Sequence, residues 1–70
     1  MKYFIAYKQN ETDYIFVNSI GSTIGKTMTY YNAIDFLTKE NAQSICNFLN
    51  ELDGDNKYIV IKYSYSLEEE

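Results

Sequence analysis

The stretch from Thr38 to Gly54, TKENAQSICNFLNELDG, predicts one amphipathic helix, and the rest of the fold follows from what that helix needs. At 100° per residue its apolar side chains fall on one stripe, which consists of Ala42, Ile45, Cys46, Phe48, Leu49 and Leu52. The opposite, wet face carries Asn41, Gln43, Asn47, Asn50 and Glu51. Thr38 can cap the first turn with its hydroxyl, and Gly54 supplies the left-handed residue that ends a helix. A lone amphipathic helix needs an apolar surface to pack on, which predicts a sheet.

Three segments have the β-branched and aromatic composition of strands: Lys2–Lys8, Asp13–Ser19 and Lys57–Tyr65. Residues 9–12 form a plausible hairpin connection, and residues 20–26 are either a loop or an irregular third strand. Residues 30–36 suggest a short helical turn that leads into the main helix. The predicted fold is a single α+β domain over residues 1–70, in which a small antiparallel sheet of three to four strands packs one face on the helix. The acidic tail, residues 68–70, is expected to fray.

Alternation along the strands predicts which sheet face meets the helix. Lys8 and Lys62 are expected to point to water, so the isoleucine faces are expected to pack under the helix. Those faces carry Tyr3, Ile5 and Tyr7 in the first strand, and Ile59, Ile61, Tyr63 and Tyr65 in the last. The other face would still hold apolar side chains, and such a surface marks a partner site. The predicted partner-binding residues are Phe4, Lys8, Tyr30, Tyr31, Tyr58, Val60 and Lys62.

Size and composition narrow the ways in which the fold can be stabilised. A chain of 70 residues buries only ~60% of its unfolded surface. One cysteine and no histidine leave no intramolecular disulfide and disfavour a zinc site. The sequence therefore predicts a homodimer, formed through the outer sheet face or a free strand edge. Replacing Val60 with Lys is then expected to give a folded monomer.

The net charge and the length of the apolar runs indicate which partners and which location to expect. The net charge is −4, with six lysines and no arginine, which makes nucleic acid an unfavourable partner. No apolar run reaches membrane-spanning length, and the first residues do not form a signal peptide. We therefore expect a cytoplasmic protein with a reduced Cys46 and no membrane association.

Motifs that would indicate catalysis or a cofactor are incomplete. Gly21–Thr27 (GSTIGKT) has three residues between its glycines, whereas a phosphate-binding loop needs four. Asp53–Asn56 lacks the remaining ligands of a calcium loop. Without histidine, Cys46 and the serines have no usual base, and Asp13, Asp35 and Glu40 show no fixed geometry for acid–base chemistry. We therefore predict no enzyme activity and no cofactor.

The chain contains, in this order, the opening strand KYFIA, a middle segment with Ala33 and Phe36, the helix start TKENA and the closing strand YIVI. In the spacing of these segments, over most of residues 2–62, the chain resembles a loose group of short proteins from phages and mobile elements of AT-rich bacteria. Met28 stands where that group usually has an aromatic residue. Some phage proteins of similar size inhibit host defence nucleases, and anti-CRISPR proteins are among them. The resemblance implies a small accessory protein that acts by contact, without catalytic residues.

The leading hypothesis is therefore a non-enzymatic protein-binding module that inhibits a host factor such as a defence nuclease. The alternative is a sheet that binds single-stranded nucleic acid by stacking bases on Tyr58 and Phe4 with help from Lys62.

Overall fold

The computed structural model describes all 70 residues as one antiparallel sheet with one helix on it. The strands are β1 (Lys2–Lys8), β2 (Tyr14–Ile20), β3 (Ile24–Thr27), β4 (Ile59–Tyr63) and β5 (Leu67–Glu69). A 3₁₀ turn spans Tyr30–Asn32, and helix α1 spans Lys39–Asp53. The strand order is β3-β2-β1-β4-β5, so β1 lies in the middle. The predicted α+β class is confirmed, with five strands where the sequence predicted three to four.

Local chemistry sets both ends of α1. The Thr38 hydroxyl accepts a hydrogen bond from the backbone N–H of Asn41 at 3.2 Å, which satisfies a donor that the first turn leaves free. At the other end Gly54 adopts a φ of 76°, and its N–H donates to the Asn50 carbonyl at 2.8 Å. A left-handed residue of this kind is strained for any side chain with a Cβ. Both predicted caps are confirmed.

The register between β1 and β4 decides which side chains lie under the helix. Ile5 lies opposite Val60, and Phe4 lies opposite Ile61. Residues that face each other across a ladder share one side of the sheet, so Val60 lies with Ile5 on the helix side. The resulting core contains Ile5, Val17, Ala42, Cys46, Leu49, Tyr58 and Val60. The predicted face is correct for β1 and wrong for β4, because β4 is apolar on both sides and its own alternation cannot choose between them.

The sheet face away from α1, called the outer face here, has a core of its own. Phe4, Ala6, Phe16 and Ile61 are all buried there. Half-buried side chains pack around them, namely Tyr14, Tyr30, Ala33, Ile59, Tyr63 and Leu67. The outer face is therefore not the open apolar surface that the sequence suggested, since side chains from β5 and from the segment after β3 shield its centre.

Residues 33–36 take an extended path between β1 and β2, where the sequence predicted a helical turn. Phe36 exchanges two backbone hydrogen bonds with Tyr3, of 2.8 and 2.9 Å, and the N–H of Ile34 donates to the Val17 carbonyl at 3.1 Å. The β1–β2 ladder covers only Ala6–Lys8 against Tyr14–Phe16, so the strands diverge and leave room for this segment. The helical prediction therefore holds only for the 3₁₀ turn at Tyr30–Asn32.

The acidic tail is paired, so the expectation of a frayed end at residues 68–70 is wrong. Leu67 lies opposite Tyr63 and Glu69 lies opposite Ile61, and the N–H of Glu70 donates to the Val60 carbonyl at 2.9 Å. Three consecutive glutamates are typical of a disordered end. Here the packing of Leu67 on the outer face and the partners of Glu69 hold the strand in place. None of the helices combines the length and the apolar character needed to cross a membrane.

Candidate protein-binding site

The outer face carries a groove of about 300 Å³, called the outer groove here. Its aromatic walls are Phe4, Tyr30, Tyr31 and Tyr63, its apolar lining is completed by Met1 and Ala33, and its polar rim consists of Lys2, Asp35 and Ser64. These residues come from β1, from the segment that follows β3, and from the end of β4. Residues 33–36, which lie beside β1, contribute Ala33 and Asp35 to the lining of the groove.

Tyr30 organises the aromatic wall. Its ring stacks on Tyr63 with centroids 4.8 Å apart and planes at 24°, and it meets Phe4 and Tyr31 edge-on at 5.9 and 5.6 Å. The neighbouring Tyr63 side chain is the main cause that raises the pKa of Tyr30. Tyr31 lies at the mouth of the groove and remains 74% exposed. Aromatic rings held in this way offer a large contact area with little conformational entropy to lose.

One ion pair crosses the rim of the groove. The Lys2 ammonium lies 3.0 Å from Oδ2 of Asp35, and the two side chains are 57% and 46% exposed. The Asp35 carboxylate has no other hydrogen-bond or ion-pair partner within the chain. Asp35 is held in place by its neighbours, because Ile34 and Phe36 are both hydrogen-bonded to strands. The groove thus combines aromatic faces with one accessible carboxylate.

The structure brings together only part of the predicted binding set. Phe4, Tyr30 and Tyr31 line the outer groove, with Phe4 buried at its base. Tyr58 and Val60 lie beneath α1, only 3% and 2% exposed, so their placement on an open face is wrong. The cause is the β1–β4 register described above.

The two predicted lysines lie outside the groove. Lys62 lies opposite Tyr3 and therefore on the helix side. Lys8 lies opposite Tyr14 on the outer face, at the far end of β1 from Lys2. The lysine at the groove is Lys2, which the sequence analysis missed together with Asp35 and Tyr63. The alternation of Tyr63 with Ile61 would have indicated its position, had the face of β4 been known.

A separate polar cluster joins β5 to the β1–β2 hairpin. The Tyr14 hydroxyl donates to Oε2 of Glu69 at 2.6 Å, and the Lys8 ammonium lies 3.0 Å from the same oxygen. Hydrogen bonds from Tyr14 and from Lys8 lower the pKa of Glu69, and the hydrogen bond to Glu69 raises the pKa of both partners. These groups satisfy one another, so the cluster fastens β5 rather than offering a reactive group.

A second cluster lies where α1 ends. The Tyr58 hydroxyl donates to Oδ2 of Asp53 at 2.7 Å, and the Lys57 ammonium lies 4.6 Å from the centre of the Tyr7 ring. Burial is the main cause that raises the pKa of Tyr58. The nearby segment that resembled a phosphate loop, Gly21–Thr27, forms the β2–β3 turn and β3 itself. A phosphate-binding loop leads into a helix, whereas the second half of this segment is itself a strand.

The helix also exposes part of its apolar stripe. Phe48 and Leu52 were predicted to face the sheet, but both are more than half exposed. α1 lies over β1 and β4, so only Ala42, Cys46 and Leu49 are fully buried against the sheet. Phe48 and Leu52 lie on the opposite side of the sheet from the outer groove. A substitution of either residue can therefore serve as a control for substitutions in the groove.

The geometry permits binding through aromatic contact and one carboxylate. No group of three or more Asp, Glu or Cys side chains is placed to hold a metal ion. No family model, curated protein or solved structure matches this chain, so the description of the site depends on its geometry alone.

Proposed function

We propose that this protein is a non-enzymatic protein-binding module that contacts its partner through the outer groove. The observation that carries the proposal is the wall of packed tyrosines that ends in the exposed ring of Tyr31. Tyrosine is enriched at protein interfaces because its ring gives contact area and its hydroxyl tolerates water. The fixed rings of Tyr30 and Tyr63 would meet a partner without rearrangement.

The environment of the titratable groups supports a binding role over a catalytic one. Strongly shifted groups in an enzyme usually gather in a cleft with a free reactive atom. Here the shifted groups of Lys8, Tyr14 and Glu69 pair with one another, and Tyr58 pairs with Asp53. Cys46 is buried in the helix-side core, and loss of hydration raises the pKa of its thiol. Tyr30 is the one shifted group that borders the outer groove, and its pKa is raised mainly by the neighbouring Tyr63 side chain.

The resemblance to small phage proteins extends the proposal. It gives the expectation that the partner is a host factor such as a defence nuclease, and that binding inhibits it. An inhibitor of this kind would act in the cytoplasm, where Cys46 stays reduced.

The test is quantitative capture from a host lysate with two matched variants. Tyr31→Ala removes an exposed ring of the groove, and Phe48→Ala removes an exposed ring on the helix side. We expect the captured partner to be lost with Tyr31→Ala and retained with Phe48→Ala. Loss with Phe48→Ala alone would move the contact surface to the helix and reject the groove.

Two other occupants of the outer groove would be identified by further measurements on the same variants. A second copy of this chain is one, and light scattering that finds a dimer with the unmodified protein and a monomer with Tyr31→Ala would establish it. Single-stranded nucleic acid is the other, and its mark is tight binding with a steep salt dependence. The residues first considered for stacking do not favour it, since Tyr58 and Phe4 are buried and lie on opposite sides of the sheet.

A further inference from the structure

We propose that the outer groove receives an arginine side chain of the protein partner, with its guanidinium on the Tyr31 ring and paired with Asp35. This inference rests on the proposed protein-binding function and specifies the chemistry of the partner. It follows from the one feature that distinguishes this groove from an ordinary apolar patch, which is an accessible carboxylate beside exposed aromatic faces.

The aromatic part of the groove suits a flat cation. Tyr31 stands at 81° to Tyr30, so the two rings form a corner rather than a closed stack, and Tyr31 is largely exposed. A guanidinium stacks on such a ring through both its planar shape and its positive charge. A groove of about 300 Å³ has room for one long side chain.

The carboxylate favours arginine over lysine. Asp35 already holds one ammonium, that of Lys2, whose Nζ lies 3.0 Å from Oδ2. A partner lysine would only exchange one ammonium for another. A guanidinium can bind both carboxylate oxygens at once, which Lys2 does not do. The existing pair is more than half exposed at Lys2, and exposed pairs of this kind open at little cost.

The net charge of the chain also favours a positively charged ligand. The chain has a net charge of −4 and no arginine of its own, so it attracts a basic surface and repels an acidic one. Within the outer groove the only acidic side chain is Asp35, which defines where the cation would bind.

The experiment is an NMR titration of ¹⁵N-labelled protein with three capped tripeptides, Gly-Arg-Gly, Gly-Lys-Gly and Gly-citrulline-Gly. Citrulline keeps the shape of arginine and lacks its charge. We expect the arginine peptide to shift the amides of residues 30–35 and of Tyr63, and to bind about fivefold more tightly than either of the others. Equal binding of the arginine and lysine peptides overturns the inference, as does absence of shifts at the groove.

Four variants separate the groove from general charge effects. Asp35→Asn is expected to weaken arginine binding about tenfold, whereas Glu51→Gln, which makes the same charge change on α1, leaves it within about twofold. Lys2→Gln removes the competing ammonium and is expected to strengthen binding, and Lys62→Gln serves as its control on the helix side. Equal effects within either pair contradict the inference. The amide spectrum of each variant shows whether the fold is intact.

The outcomes distinguish this inference from the function on which it rests. If Tyr31→Ala loses the captured partner but the arginine peptide does not bind, the protein-binding function stands and the arginine assignment fails. If the arginine peptide binds at the groove but capture is insensitive to Tyr31, the proposed function fails at this surface.

Discussion

Asn50 holds the backbone of Tyr58 with both ends of its side-chain amide. The Tyr58 N–H donates to Oδ1 at 2.8 Å, and Nδ2 donates to the Tyr58 carbonyl at 3.0 Å. This link places the residue that precedes β4 beneath the last turn of α1. Because side chains alternate along a strand, a fixed Tyr58 also places Val60 on the helix side. A helix residue thus helps to set which face of β4 becomes core.

Replacing Asn50 with Ala is expected to destabilise the protein by about 2 kcal/mol, since both hydrogen bonds to the Tyr58 backbone are lost and its half-buried N–H and C=O lose their partners. Urea unfolding measures the change. The control is Asn47→Ala, which removes only an exposed hydrogen bond from the Gln43 side chain and should cost less than about 0.5 kcal/mol. Similar values for the two variants would mean that the link to Tyr58 contributes nothing.

Replacing Val60 with Lys is expected to prevent folding. The Val60 side chain is 2% exposed in the helix-side core, and an unpaired ammonium there would cost much of the roughly 4 to 10 kcal/mol available to a domain of this size. Circular dichroism should show loss of helix and sheet. The exposed substitution Tyr31→Lys should leave the spectrum unchanged. A folded Val60→Lys protein would contradict the β1–β4 register and restore the sequence-based expectation of a folded monomer.

Acid should selectively weaken the attachment of β5. The pKa of Glu69 lies below its ordinary value of 4.5, first because Tyr14 donates to it and then because Lys8 does. The unfolded chain therefore takes up this proton at a higher pH than the folded one. The stabilisation is complete above pH 4.5 and is lost as the pH falls through the lowered folded value.

The measurement is the melting temperature of the wild type and of Glu69→Gln across this acidic range. The difference between them should be constant near neutrality and should shrink in acid. Glu68→Gln makes the same charge change one residue away and gives the baseline. A difference that stays constant down to the lowest pH would show that Glu69 is not the responsible group.

Gly25 lies against the irregular part of β2. The β2–β3 register shifts between Val17 and Ser19, and a Cβ at position 25 would overlap the side-chain oxygens of Ser19 and Asn18. Gly25→Ala is therefore expected to cost about 1 kcal/mol in urea unfolding. Gly21→Ala is the matched control, because a Cβ there would meet nothing within 4 Å. Equal stability of the two variants would show that the Ser19 and Asn18 side chains move aside freely to admit a methyl group.

The sequence predicts those secondary-structure elements that depend only on residues close together in the chain. The helix and both of its caps depend on residues a few positions apart, and so does the alternation of β1. The face of β4 could not be predicted, because both sides of that strand are apolar and the choice depends on Ile5 and Asn50. The helical projection places Asn50 on the solvent-facing side of α1. Such a projection shows in which direction a side chain points, but not that the Asn50 amide extends far enough to bond the Tyr58 backbone.

The candidate site was predicted only in part for the same reason. Tyr30 and Tyr31 stood out by composition, and both line the outer groove. Asp35 and Lys2 gave no local signal, because they meet only through the pairing of Phe36 with Tyr3. A contact created by a distant backbone pairing leaves no periodicity in the sequence around either residue.

The central position of β1 has a consequence for folding. β1 and β2 are neighbours in the chain and can form a hairpin early, whereas the other edge of β1 stays unpaired until β4 arrives from beyond α1. During that interval a strand edge flanked by Phe4, Ile5 and Ala6 is open, and such edges pair readily with other chains. Aggregation is therefore a hazard of the half-folded molecule, and the speed with which β4 docks determines how long that hazard lasts.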